Sequence, residues 1–105
     1  MAILNTRLFT SSPTTVFQAD GQQAITVVYI CNTSANDATV NVYAVNNDDS
    51  TASGDDNMIL SELSVTGNDT YIMSLEKLIL DDLDKIEMEA NIPDVITVTV
   101  SSIAV

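Results

Sequence analysis

The stretch Ala24–Asn32, AITVVYICN, constrains this chain more than any other. Successive side chains of an extended chain point to opposite sides. Ile25, Val27, Tyr29 and Cys31 therefore share one side, and Thr26, Val28 and Ile30 the other. Neither side carries a charge. Such a pattern predicts a central strand covered on both sides or nearly so.

The same grammar runs through the rest. Val, Ile and Thr, which favour pleated surfaces, dominate the apolar segments. A first strand is expected near Ala2–Phe9, with Ile3 and Arg7 on one face and Leu4 and Leu8 opposite. Pro13 separates it from a second at Thr14–Gln18, and Asp20-Gly21 is a turn signal because both residues tolerate positive φ. Ala38–Val45 alternates cleanly, with Val40, Val42 and Ala44 against Thr39, Asn41, Tyr43 and Val45. Met58–Val65 and TYIMSL follow, divided by the turn TGND. The segment from Val95 onward, VITVTVSSIAV, is expected to pair inside a sheet. The spacing of Leu75, Leu78, Ile79, Leu83 and Ile86 favours a helix. The rival reading of the same segment is a strand at Lys77–Leu80, a turn at Asp81–Asp84 and a strand at Lys85–Ala90, with Glu87 and Glu89 facing water together. Strands every 8–12 residues with turn signals between them predict one all-β domain over residues 1–105. The expected architecture is a single antiparallel β-sandwich, jelly-roll or immunoglobulin-like, of about seven to nine short strands.

Size and charge limit what such a domain can do. At 105 residues there is room for one domain, with a stability on the order of 5–10 kcal/mol. Hydrophobic residues make up 46%, enough for a packed core. No apolar run approaches the roughly 18 residues of a membrane span, and MAILNTRLFT lacks the basic and apolar regions of a signal peptide. The net charge of −12, from 15 acids against 3 bases, argues against nucleic acid as a partner, since phosphates require clustered Lys and Arg. Residues 1–36 carry only Arg7 and Asp20, so the whole net charge falls on the remaining 69 residues. This neutral third is read either as buried sheet or as an uncharged contact surface.

Reactive chemistry has little to work with. The chain has no histidine and a single cysteine, which excludes Ser-His-Asp and Cys-His nucleophiles and the usual zinc ligand sets. Cys31, alternating with Tyr29 and Val27, is expected to be a small buried hydrophobe. Three glycines do not make a phosphate loop. Asn32-Thr33-Ser34 and Asn68-Asp69-Thr70 match the glycosylation pattern and are expected to be chance matches in Asn-rich turns. The one candidate for a cation is NNDDSTASGDDN, Asn46–Asn57. Counted from Asp49, the residues Asp49, Thr51, Ser53 and Gly54 fit an EF-hand loop, but position 12 is Leu60, which cannot ligate. Asp48, Asp49, Asp55 and Asp56 leave a weaker divalent site as the alternative to a hydrated, charge-bearing loop. No catalytic residue, metal site or cofactor is assigned, and the chain is read as a non-enzyme.

The succession AITVVYICNTS, ATVNVYAV, NDTYIMSLEKLIL, DKIEMEA and VITVTVSSIAV resembles the small β-structured virion proteins of tailed bacteriophages, including those of cyanobacteria. The resemblance covers most of the chain from Ile25 onward and lies in pattern and order rather than in a chemical motif. It implies two strands around a turn in the Leu75–Ala90 segment, and that reading is adopted over the helical period. It also implies a virion location after synthesis in the host cytoplasm. The expected partners are further copies of the chain, as a homo-oligomer, and other virion proteins, the major capsid or tail proteins; neither nucleic acid nor a membrane is expected. The leading function is a capsid decoration or cement protein that stabilises the head by protein–protein contacts. The alternatives are a neck, tail or fibre-associated module and a carbohydrate- or receptor-binding sandwich. Residues 1–12 are read as an N-terminal strand or arm that contacts neighbours, and removal of residues 2–10 is expected to leave the rest folded.

Overall fold

A computed structural model describes residues 2–47, 54–73 and 78–105. Their secondary structure is nine strands and short turns, with no α-helix among the described residues. The strands are β1 (Ala2–Leu8), β2 (Thr14–Gln18), β3 (Gln23–Asn32), β4 (Ala38–Val45), β5 (Met58–Val65), β6 (Thr70–Met73), β7 (Leu78–Leu80), β8 (Lys85–Ala90) and β9 (Ile96–Ala104). A 3-10 turn, Asp55–Asn57, precedes β5.

All pairings are antiparallel and fall into two sheets. The first has the order β1-β9-β3-β6, with β7 also on β3; the second has the order β2-β8-β4-β5. β6 pairs with Val28–Cys31 and β7 with Gln23–Ile25, so the two lie along one edge of β3 as an interrupted strand. Counted that way, the chain crosses between sheets with β1, β3, β6/β7 and β9 in one and β2, β4, β5 and β8 in the other. This is the jelly-roll order, two Greek keys rolled together. The immunoglobulin alternative fails because β1 pairs only with β9 and β2 only with β8, each far away in sequence.

The core fills the space between the sheets. Leu8, Val28, Ile30, Val40, Val42, Ile86, Met88, Ala90, Ile96 and Val98 are wholly buried there. Each comes from the inward set of a strand with alternating sides, so the period of two in the sequence becomes one dry and one outer face per sheet.

Three expectations about faces need correction. A bulge between Ile25 and Val27, in the pairing of β3 with β9, returns the chain to the same side after one extra residue. Ile25 therefore packs inward with Val28 and Ile30, and only Val27, Tyr29 and Cys31 keep the outer side. β3 is covered on one face, not two, since no described element lies over that outer side. Glu87 does not face water beside Glu89: it is 9% exposed, and both carboxylates are engaged by neighbours described below.

The segment read as strand, turn and strand forms that way. Leu78–Leu80 and Lys85–Ala90 are strands, while residues 75–77 and the end of TYIMSL lie outside the described residues. The turn lacks glycine, and Leu83 takes its place with φ of 70°. Hydrogen bonds hold it there: Leu83 N donates to Ala19 O at 2.9 Å, Asp84 N to Asp81 O at 3.1 Å, and Ala19 N to Asp84 O at 2.8 Å. The N-terminal segment is not a detachable arm. β1 pairs with β9 from Ala2↔Ser102 to Leu8↔Ile96, and Leu8 is in the core. Removing residues 2–10 would open the core and strip β9 of a neighbour, so a deletion cannot separate folding from contact.

Candidate interaction surface

The acidic groups are at work within the fold. At one end of the sandwich the turn Asp81–Asp84 meets the β2–β3 turn. Asp84 accepts from Asn47 N at 2.9 Å and Asp81 N at 3.0 Å, Asp82 from Gly21 N at 2.8 Å, and Asp81 from Gln22 Nε2 at 3.2 Å. These carboxylates satisfy backbone donors that turns leave unpaired. On the outer side of the second sheet, Glu87 accepts from Lys85 Nζ at 2.8 Å and Thr15 Oγ1 at 3.3 Å. Glu89 accepts from Tyr43 Oη at 3.0 Å and Asn41 Nδ2 at 3.1 Å. An open depression of about 260 Å³ lies beside Glu89, but its polar atoms are engaged: Asn41 Oδ1 accepts from Glu62 N at 2.7 Å and Asn91 Oδ1 from Thr39 N at 2.8 Å. The β5 bulge that places Glu62 at φ of 52° is held by this contact.

Of the candidate cation ligands, Asp48 and Asp49 lie outside the described residues. Asp55 and Asp56 belong to the 3-10 turn, whose Asn57 side chain accepts from Gly54 N at 2.9 Å. Among the described residues, no three His, Cys, Asp or Glu side chains converge as metal ligands. Asn32, first residue of one glycosylation match, is 0% exposed, and its Nδ2 donates to Asn36 O at 2.7 Å and Val65 O at 3.0 Å. It is a structural amide that cannot be reached in the folded chain. Cys31 is half-buried on the outer side of β3 rather than in the core.

That outer side is the feature the sequence reading left open. Cross-strand partners share a face, so the registers place Asn5, Thr99, Tyr29 and Ile72 in one row across the first sheet. Ile3, Ser101 and Val27 form the next row, and Ile103, Ala24 and Ile79 the one beyond. Arg7, Thr97, Cys31 and Thr70 form the row on the opposite flank. No carboxylate lies in these rows among the described residues. The large apolar side chains on it are exposed: Ile3 68%, Ile72 60%, Ile79 52%, Tyr29 40% and Ile103 37%. Its one cation among the described residues, Arg7, is held at the margin by Asp94 Oδ1 and Asp94 O, both at 2.8 Å, and by Thr97 Oγ1 at 2.9 Å. The two outer faces of the sandwich thus differ in kind: one carries hydrogen-bonded carboxylates, the other, among the described residues, carries none and sets exposed isoleucines and a tyrosine among Asn, Ser and Thr side chains. No family model matches the chain, and no curated protein or solved structure matches it either.

Proposed function

We propose that this protein is a non-enzymatic structural component of a phage virion, a capsid decoration or cement module that works by fitting against neighbouring subunits. The observation that carries the reading is the outer face of the first sheet, which bears exposed isoleucines and no carboxylate among the described residues, on a chain whose net charge is −12. Isolated exposed apolar residues are ordinary on soluble proteins, whereas a contiguous face of them marks a surface that is covered in use. The jelly roll is a common architecture of viral shells, which raises the prior without identifying a role. The carboxylates of Asp81, Asp82, Asp84, Glu87 and Glu89 support the same reading, because they are spent as hydrogen-bond acceptors within the fold. The partners would be further copies of the chain and the major capsid or tail proteins, and the location the virion after synthesis in the host cytoplasm.

Quantitative mass spectrometry of purified particles tests this. Copies in the hundreds, in fixed ratio to the major capsid protein, are expected. Six, twelve or a low multiple would move the protein to the neck, tail or fibre, and absence from particles would overturn the virion reading.

A further inference from the structure

We infer that the outer face of the first sheet, centred on Tyr29 and Ile72, is the docking surface for a second copy of this chain, the two copies packing this face against itself. The inference deepens the structural role proposed above and rests on its premise that the chain acts through subunit contacts.

Charge selects the occupant. The turns at the ends of the sandwich hold Asp20, Asp37, Asp69, Asp81, Asp82 and Asp84, and the second sheet carries Glu87 and Glu89 on its outer side. Two copies that met through those surfaces would set like charges against each other across a partly dehydrated gap, which is unfavourable. The first sheet's outer face is the broad surface on which identical copies meet without opposing carboxylates among the described residues. A face that contacts itself about a twofold axis closes as a dimer and leaves no unsatisfied surface of the same kind.

The molecule measures 38 × 27 × 20 Å, and an ellipse with the two longer axes covers about 800 Å², an upper bound on one flat face that matches the area each partner contributes to a standard-size interface. Part of the polar content of the face is already satisfied within one copy: Thr99 Oγ1 donates to Asn5 Oδ1 at 2.8 Å, and Thr26 Oγ1 to Ser101 O at 3.0 Å, so burial does not strand these two hydroxyls. Flat sheets stacked face to face are also the arrangement this sandwich uses internally, so a second layer repeats a geometry the chain already favours. The apolar outer side of β3, unexplained within one copy, then gains the second cover that its sequence calls for.

The test is the association state of the full chain with its only cysteine as reporter. Cys31 lies on the proposed face, two positions from Tyr29 on the same side of β3. Sedimentation velocity from micromolar to hundreds of micromolar is expected to show a monomer–dimer equilibrium, and Cys31 to react more slowly with a bulky maleimide as the dimer fills. Ile72→Glu places a carboxylate at an exposed position, where it should not disturb folding, and is expected to weaken the dimer roughly a hundredfold and restore Cys31 reactivity. Far-UV circular dichroism verifies that the variant is folded, and Ile103→Lys provides an independent disruption. A chain that stays monomeric throughout overturns the inference. So does a dimer that survives both substitutions or leaves Cys31 freely reactive, because its contact then lies elsewhere, for instance along the free edge of β1. A chain found in particles but monomeric alone would sink this inference and leave the virion role standing; a face dimer from a chain absent from particles would do the reverse.

Discussion

Replacing Asn32 by alanine should remove about 3 kcal/mol of stability, on the order of a third to a half of the total for a domain of this size. Asn32 ends β3 with no solvent exposure, and all its hydrogen-bonding capacity is directed at two turns. Nδ2 donates to Asn36 O and Val65 O, and Oδ1 accepts from Ser34 N at 3.0 Å and Ser34 Oγ at 2.9 Å. Four bonds are lost in the alanine variant. Asn36 O keeps Ser34 Oγ at 3.0 Å, but the Asn32 contact to Val65 O is a buried one and leaves no side-chain replacement. Each net hydrogen bond contributes about 1 kcal/mol, and a stranded buried group adds an unfavourable 1–3 kcal/mol, which offsets some recovery by water at the turn.

The chain has no tryptophan, so urea unfolding followed by circular dichroism is the suitable assay. A loss of about 3 kcal/mol corresponds to a fall of about 15 °C in Tm. Asn32→Asp preserves the shape and reverses one hydrogen-bonding end. Its ionised carboxylate would face two carbonyl oxygens, so the charged form is disfavoured and the folded-state pKa lies above the unfolded value near 3.9. Such a group holds more protons folded than unfolded, and the variant should gain stability relative to wild type as pH falls from 7 toward 4. A loss under about 1 kcal/mol for Asn32→Ala, or no pH dependence in the relative stability of Asn32→Asp, would refute the role assigned to this amide.

Three further substitutions probe separate features. Leu83, 46% exposed at φ of 70°, occupies a left-handed position that asparagine tolerates better, so Leu83→Asn should raise stability by about 0.5–1 kcal/mol in the same unfolding assay. Gly67 admits no side chain, because an added Cβ would meet the Ala35 carbonyl and lie 2.9 Å from Asn36 N; Gly67→Ala should lower stability by about 2 kcal/mol and lower Tm accordingly. Ser102 Oγ is buried without a hydrogen-bond partner, so Ser102→Ala should leave thermal stability unchanged or raise it by about 1 kcal/mol.

Alternation made most strands readable. Ala38–Val45 and Met58–Val65 are strands with the bounds their patterns predict, since side-chain period and burial coincide wherever one face is dry. The segment around Leu83 misled by period alone. Leu78 and Ile86 point inward from two different strands, Ile79 points outward, and Leu83 sits in the turn between, so their helical spacing is an accident of combining two registers. The bulge near Thr26 carried no glycine or other local signal. It is set by pairing with β9 some seventy residues away, which single-chain periodicity does not contain. The aspartates of Asp81–Asp84 were readable as a turn but not as a clamp, because their donors on Gly21, Gln22 and Asn47 arrive only through the fold.

The charge split near residue 36 acquires its meaning from the same topology. As a stretch of sequence the neutral third is not one surface: β1 and β3 enter the first sheet, while β2 enters the second. What joins β1 to β3 is β9, inserted between them, and β9 contributes Thr97, Thr99, Ser101 and Ile103 to the same outer rows. No charged side chain follows Asp94 in the sequence. The two charge-poor parts of the sequence are therefore interleaved by the jelly roll into one face, and the described acidic residues between them fall on the turns and the second sheet. A sandwich needs polar residues on its outer sides to stay in solution, and the second sheet has them. The first sheet meets that need with Asn, Ser and Thr rather than with carboxylates, and sets Ile3, Tyr29, Ile72, Ile79 and Ile103 exposed among them. On the proposed reading, contact with another protein surface is what this combination serves, since the packing of a single copy leaves those side chains uncovered.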